Sequence, residues 1–160
     1  MGTTPQPFEN LPLILSKRQQ EMVRLVTGIV QKAATAGGAF LVDSTPVKRG
    51  VARSNWVASV GQRFSAVIPA YAPYPDLDHG PAPIGRFTET ANASPAKAQH
   101  LAAVESFNPR RDSVVYIQNN AEHISLLNQG HSLQNPRSDW FKESPEVAKR
   151  AIQGTWRLKA

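Results

Sequence analysis

Residues 16–38 read SKRQQEMVRLVTGIVQKAATAGG, and their apolar positions predict a long helix. Ser16 begins an S-x-x-Q capping box with Gln19, in which each side chain can satisfy a backbone amide of the first turn. The apolar side chains recur every three or four residues and form one stripe, which consists of Met22, Val26, Ile29, Val30 and Ala33. The pair Gly37-Gly38 supplies the permissive backbone at which a helix can end. We therefore expect a helix that starts at about Lys17 and ends at this pair.

Two runs with strand periodicity follow this helix. Trp56, Ala58 and Val60 alternate with other residues and would share one face of a strand. Gly61 interrupts the pattern, and residues 64–68 resume it. The two runs predict an antiparallel hairpin whose Trp56 face packs against the first helix.

Two Ser-Pro pairs mark the starts of further helices. Serine is favoured as the cap and proline at the first helical position, which predicts one helix from Ser94-Pro95 to about Phe107. The same reasoning places the start of the last helix at Ser144-Pro145. Between these helices, the side chains of residues 113–118 alternate between two faces, which predicts a strand.

These elements predict an α+β fold, in which a long N-terminal helix packs on a small, mostly antiparallel sheet, with one or two further helices and long Pro-rich loops. The 160 residues fit a single domain, which we expect at residues 16–160 after an extended arm at residues 1–15. Six of the thirteen prolines fall at 69–95, which predicts a long loop that acquires order from a neighbour.

The composition limits the classes of function. The chain has no cysteine, so it forms no disulfide and no thiolate metal site. The N-terminus lacks an export signal, and no stretch approaches the roughly 20 apolar residues that span a bilayer, so we expect a soluble protein with no membrane partner. The net charge of +6 makes a small nucleic-acid-binding protein the alternative function, although the basic residues are scattered in pairs and not interleaved with aromatic rings.

The sequence offers little support for catalysis or cofactor binding. None of the four histidines lies in a nucleophile elbow, and the chain has no phosphate-binding loop, dinucleotide fingerprint or zinc-protease helix. Asp76, Asp78 and His79 are a possible metal cluster without a second set of ligands, and His123 and His131 are eight residues apart. We expect a protein that is not an enzyme and has no cofactor or bound metal.

The sequence of one connection indicates its local structure in unusual detail. Residues 115–136 read VYIQNNAEHISLLNQGHSLQNP, which indicates a strand, an Asn119-Asn120 bend, a short helix and a glycine stop. The two asparagines can reverse the chain through left-handed or turn geometry, and Gly130 can take the left-handed position after the helix. Ile124 and Leu127 would anchor the short helix to the sheet.

This connection and the segment TPVKRGVARSNW at residues 45–56 resemble the two signature blocks of the tail-completion, or neck, proteins of tailed bacteriophages. The first block has a Thr-Pro-Val turn, a glycine, a basic residue and an Asn-Trp pair, which correspond here to Thr45, Pro46, Val47, Gly50, Arg53, Asn55 and Trp56. The second block is matched by Tyr116, Ile117, Asn119, Asn120, Leu127, Gly130, Ser132 and Gln134. The chain departs from the second pattern at three places. The family often has Pro-Tyr in place of Glu122-His123, an acidic residue in place of Asn128, and Ala before Pro in place of Asn135.

The resemblance implies a structural protein of the virion that is assembled in the host cytoplasm. Members of this family form a ring, typically of six subunits, in the neck or upper tail, where the tail joins the head connector. The implied partners are further copies of the chain, other neck, connector and tail proteins, and DNA in the channel through non-specific contacts. We further expect residues 1–12 and 69–95 to make contacts between subunits or with other neck proteins.

Overall fold

The fold is given by a computed structural model that describes residues 10–46, 50–71, 86–132 and 136–153. The helices are α1 (Leu11–Ser44), α2 (Val51–Ser54), α3 (Arg86–Glu105), α4 (Ile124–Asn128) and α5 (Glu143–Ile152), and a 3₁₀ turn at Trp140–Lys142 leads into α5. The strands are β1 (Trp56–Val60) and β2 (Val115–Asn119). A long N-terminal helix packed on a small antiparallel sheet, with further helices, confirms the predicted α+β class.

The sheet pairs two strands that are distant in sequence. β1 runs antiparallel to β2, with Trp56 opposite Asn119 and Val60 opposite Val115. The predicted hairpin is therefore wrong, because residues 63–70 form no strand. Asparagine side chains bond to the backbone of that segment instead, as described below. The predicted strand at residues 113–118 is confirmed, with its ends shifted by one or two residues.

Both predicted ends of the first helix are wrong. α1 begins at Leu11 with Pro12 in its first turn, so Ser16 lies inside the helix and residues 11–15 are not an extended arm. The helix also continues through Gly37-Gly38 to Ser44, and both glycines are buried. An added Cβ on Gly38 would lie 2.0 Å from His100 Cε1. These glycines permit close packing between helices and do not terminate α1.

α3 begins before the predicted Ser-Pro cap. The helix starts at Arg86, and Pro95 lies inside it. A proline inside a helix typically costs about 3 kcal/mol or more, since it lacks the amide hydrogen and its ring crowds the preceding turn. Tertiary packing outweighs this cost, because buried side chains recur on both sides of the proline at helical spacing, namely Ala93, Ala96, His100 and Val104. Residues 86–95 thus belong to a helix, while 72–85 of the predicted loop lie outside the described residues.

The core lies where the C-terminal half of α1 meets α3, α5 and β1. Its main cluster contains Leu41, Val42, Trp56, Ala93, Ala96 and Trp140. Three aromatic rings meet edge to face in it, with centroids 6.3 Å apart for Trp56–Trp140 and 5.3 Å for Trp56–Phe141. The predicted last helix is confirmed, but Ser144 does not cap it. Its buried hydroxyl donates to the Gly37 carbonyl at 3.1 Å.

The N-terminal half of α1 extends beyond the core. α3 ends level with Gln31, whose side-chain amide donates to the carbonyl of Glu105 at 3.2 Å. The predicted core stripe is therefore wrong at its N-terminal end, because Met22 is 59% exposed and Val26 is 39% exposed. The buried face of α1 consists of Ala34, Gly37, Gly38, Leu41 and Val42. We call residues 11–29 the α1 arm.

α1 also modifies an expectation about membranes. It contains an 18-residue window that is long and apolar enough, by length and composition, to cross a bilayer, although no such stretch was expected. Only 28% of that window is buried within the protein. Core helices of soluble proteins and signal sequences share this character, so the window by itself is weak evidence for a membrane span.

Candidate functional site

Thr45 is the centre of a buried network that joins the first sequence block to the core. It lies at the C-terminal end of α1, and its hydroxyl donates to the Leu41 carbonyl at 2.7 Å. The same oxygen accepts a hydrogen bond from Trp56 Nε1 at 2.6 Å, and Arg53 Nε donates to the Thr45 carbonyl at 3.0 Å. All three residues are buried. The block therefore fixes the end of α1 against α2 and β1.

A left-handed glycine starts the short helix inside this block. Gly50 has φ of 81° and precedes α2, and its carbonyl accepts from the Ser54 amide at 3.0 Å. A side chain at such a φ is strained, so glycine is the residue best suited to this position. Pro46 is buried next to Thr45, while residues 47–49 of the block lie outside the described part of the chain.

The Asn55 side chain holds the segment that was predicted to be a second strand. Its Oδ1 accepts from the Ile68 amide at 2.8 Å, and its Nδ2 donates to the Ile68 carbonyl at 2.7 Å. Nδ2 also donates to the Val51 carbonyl at 2.8 Å. One buried amide thus satisfies both backbone groups of a residue in an irregular segment, as buried polar groups require.

The asparagines of the second block bond to the first block and to the same segment. Asn119 Nδ2 donates to the Ala52 carbonyl at 2.6 Å, and Asn120 Nδ2 donates to the carbonyls of Phe64 and Ala66 at 2.9 and 2.8 Å. Of the two predicted geometries the left-handed one is not adopted, since Asp139 is the one non-glycine residue with positive φ in the described ranges. The turn alternative fits, because Asn119 Oδ1 accepts from the Ala121 amide at 3.0 Å. The pair acts through its side-chain amides.

The glycine stop of the second block has the predicted geometry. Gly130 has φ of 85°, its amide donates to the Leu127 carbonyl at 3.2 Å, and the His131 amide donates to the Leu126 carbonyl at 3.2 Å. These two bonds are the Schellman arrangement that closes a helix. Ile124 packs against the main core cluster, as expected for an anchor of α4.

The chain that returns after α4 is attached to it by Asn128 and Trp140. The Asn128 carbonyl accepts from the Asp139 amide at 2.6 Å, and its Oδ1 accepts from the Phe141 amide at 3.0 Å. Trp140 Nε1 donates to the Leu127 carbonyl at 3.3 Å, and its ring packs on Trp56. The two blocks are therefore parts of one bonded and packed unit.

Tyr116, Ser132 and Gln134 are further residues of the second block. The Arg63 guanidinium lies 5.3 Å from the ring centroid of Tyr116, which is within cation–π range. Ser132 is half-buried, and Gln134 lies outside the described residues. Sequence reasoning identified Asn128 only as a departure from the family pattern and did not predict its hydrogen bonds. The Trp140-Phe141 pair was the available signal for the aromatic contact with Trp56.

The described residues contain no group of three metal-ligating side chains. His123 and His131 are exposed, and Asp76, Asp78 and His79 lie outside the described ranges. His100 is buried against Gly38, with Nε2 2.9 Å from the Ala34 carbonyl. Burial lowers the pKa of its imidazole, while the bond to Ala34 partly opposes that shift. The geometry of His100 is that of a packing residue between α1 and α3.

Surface charge is partly compensated within the chain. Six acidic side chains in the described ranges form ion pairs, which are Arg18–Glu21, Lys97–Asp43, Arg111–Asp112, Arg137–Glu143, Lys142–Asp139 and Lys149–Glu146. The hydrogen bond and charge of Arg111 lower the pKa of the Asp112 carboxyl.

Comparison with protein-family models, with curated proteins and with solved structures finds no match for this chain.

Proposed function

We propose that this chain is a structural protein of a tailed-bacteriophage neck, where it assembles into a ring that completes or terminates the tail and joins it to the head connector. The ring would contain six copies, as the resemblance of residues 45–56 and 115–136 implies. In this role the protein would be a component of the virion. It would not be an enzyme and would need no cofactor or metal.

This proposal rests on one observation. The two blocks that resemble the family are joined to each other by hydrogen bonds and packing, and so form one unit. Asn119 of the second block bonds to Ala52 of the first, and Trp140 links the end of α4 to Trp56. Such a unit holds the surface around α4 at a fixed angle to the core. A ring requires this rigidity, because a heterologous interface closes only when every copy meets the next at the same rotation.

α4 also presents an apolar side chain to solvent from this unit. Leu126 is 52% exposed, although Ile124 of the same helix packs against the core. An exposed leucine on a rigid surface can contribute to an interface with a neighbouring subunit. We expect this surface to be one side of the subunit contact in the ring.

The first test is disruption of the gene in the phage that encodes it, followed by negative-stain electron microscopy of the lysate. Filled heads beside separate, complete tails would support a role at the joint. Intact, infectious particles would remove the protein from the essential architecture of the neck.

Complementation of the disrupted phage with variants would test the surface itself. Leu126→Glu should leave heads and tails unjoined, because the charge would be buried in the subunit contact. Leu101→Glu is the matched control, since Leu101 is 43% exposed on α3 and lies outside both blocks. Equal joining by the two variants would argue against the α4 surface as the contact.

A nucleic-acid-binding protein is the second candidate, and the charge of the α1 arm favours it. Lys17 and Arg24 lie one heptad apart on the arm, and both are exposed. Binding of this kind would weaken steeply with added salt, as phosphate contacts release counterions. Sequence-specific binding in a gel-shift assay, together with normal particles after gene disruption, would favour this function over the neck.

A further inference from the structure

The α1 arm carries an apolar face that the described residues leave largely uncovered. Leu11 is 43% exposed, Leu15 and Met22 are each 59% exposed, and Val26 on the flank of this face is 39% exposed. In proteins, most helical stability comes from the packing of an apolar face and not from helix propensity. Among the described residues, nothing supplies the arm with the packing contact that would normally stabilise such a helix.

The spacing of this face is that of a coiled-coil seam. Alternating steps of four and three residues connect its positions, which are Leu11, Leu15, Arg18, Met22, Leu25 and Ile29. This is the 3.5-residue repeat with which two helices pack along their length. At about 1.5 Å per residue, the seam is about 27 Å long. A helix that covers the whole seam would therefore need at least five turns.

The single charged position in the seam determines how a second copy of α1 can pair with it. In a parallel pair, Arg18 would face Arg18 of the second copy across the seam, and the two like charges would repel. In an antiparallel pair centred near residue 20, Leu11 lies opposite Ile29, Leu15 opposite Leu25, and Arg18 opposite Met22. This register brings apolar residues together and separates the two arginines.

The flanks of the seam fit the same antiparallel register. Glu21 lies beside the seam and pairs with Arg18 of its own helix at 3.0 Å. Near the two-fold axis, each Arg18 would also lie beside Glu21 of the second copy, which gives a neutral group of four charges. Gly28 would lie on the same flank as Ile14 of the second copy, about 3 Å from it along the helix axis. Nothing lies within 4 Å of a Cβ built on Gly28. The missing side chain leaves room for that isoleucine.

We infer that the apolar face of the α1 arm is covered by the α1 arm of a second copy of this chain, packed antiparallel and centred near residue 20. Lys17 and Arg24 lie on the opposite side of the helix and stay in solvent. The inference rests on the pattern of the arm alone and does not depend on the role in a phage neck. A two-fold contact is separate from the heterologous contact that closes a six-membered ring, so the pair describes the protein before it enters such a ring.

Charge exchange tests the register in the full-length protein by sedimentation equilibrium. The wild-type chain should be a dimer at micromolar concentration. Arg18→Glu and Glu21→Arg should each raise the dimer dissociation constant by about tenfold or more, because each places like charges at the two-fold axis. The double variant should restore the constant to about the wild-type value. Both side chains are exposed, so circular dichroism should show an unchanged fold in all three variants.

Crosslinking tests the orientation, since the chain has no native cysteine to interfere. Glu21→Cys lies near the two-fold axis and should be joined to its counterpart by a short bismaleimide crosslinker, because residues on the flanks of two packed helices lie about 8–10 Å apart. Leu15→Cys is the control, since it would lie about 15 Å from its counterpart in the antiparallel pair. A wild-type chain that is monomeric would overturn the inference. It would do so equally if that monomer binds phosphatidylglycerol vesicles in a co-sedimentation assay, since lipid would then cover the apolar face. A dimer linked through Leu15→Cys and not through Glu21→Cys would overturn it equally.

Discussion

The imidazole of His100 occupies the space that a side chain on Gly38 would fill. A Cβ built on Gly38 would lie 2.0 Å from Cε1 and 2.2 Å from Nε2 of His100. The two residues thus set the separation of α1 and α3, and each depends on the other for its packing.

Replacement of Gly38 by alanine should therefore destabilise the protein. The helices would have to separate or the imidazole to move, and overpacking of this kind costs about 1–3 kcal/mol. Gly28→Ala is the matched control on the same helix, because its Cβ would meet nothing within 4 Å. It should raise the free energy of unfolding by about 0.5–1 kcal/mol through helix propensity. Urea denaturation of dilute protein measures both changes, and a loss of stability in the control would contradict this explanation.

His100 should also make stability depend on pH. Burial lowers the pKa of the folded imidazole below its value of 6.5 in the unfolded chain, so the unfolded state takes up a proton first as pH falls. The stability contributed by the neutral ring is complete above about pH 6.5 and is lost as pH falls through the folded pKa. Urea unfolding at pH 7.5 and at pH 5.5 should show lower stability at the acidic value.

The control for this pH dependence is His100→Gln, which cannot titrate in this range. This variant should have a shallower slope of stability between pH 7.5 and pH 5.5, even if its stability at pH 7.5 is reduced. His123 and His131 are exposed and remain in both proteins, so they cancel in the comparison. An unchanged slope would assign the dependence to other groups.

Asn55→Asp should loosen the segment at residues 61–71. The aspartate loses the two amide donors and places a buried acceptor next to the carbonyls of Val51 and Ile68. Loss of buried hydrogen bonds with an unsatisfied group left behind costs about 1–3 kcal/mol. The direct measurement is hydrogen exchange at the Ile68 amide, which donates to Asn55 Oδ1 in the wild-type protein. Asn108→Asp is the control, because Asn108 is exposed and lies outside this unit.

Sequence periodicity predicted the elements whose hydrophobic pattern and stop signals act locally. The α+β class, the strand near residues 115–119 and the end of α4 at Gly130 were all predicted correctly. Gly130 could be predicted because the left-handed position after a helix is a requirement of the backbone itself.

The ends of α1 and α3 and the pairing of β1 could not be predicted from local signals. Gly37 and Gly38 look like a helix stop, yet their role depends on Ser144 and His100, which are more than 60 residues away in sequence. Alternation at residues 64–68 indicates a strand, but Asn55 and Asn120 bond to this backbone in place of a strand partner. In each case tertiary contacts determined the outcome.

The hydroxyl of Thr45 gives the sharpest test of the bonded unit. Thr45→Val keeps the shape of the side chain but removes the acceptor of Trp56 Nε1, which leaves that buried donor unsatisfied. The free energy of unfolding should fall by about 1–3 kcal/mol. Thr45→Ser retains the hydroxyl and should lose less. In a Trp56→Phe background the donor is already absent, so Thr45→Val should cost less there than in the wild-type protein. This double-mutant cycle isolates the coupling of the two residues. Strict additivity of the two substitutions would show that the bond contributes nothing to stability.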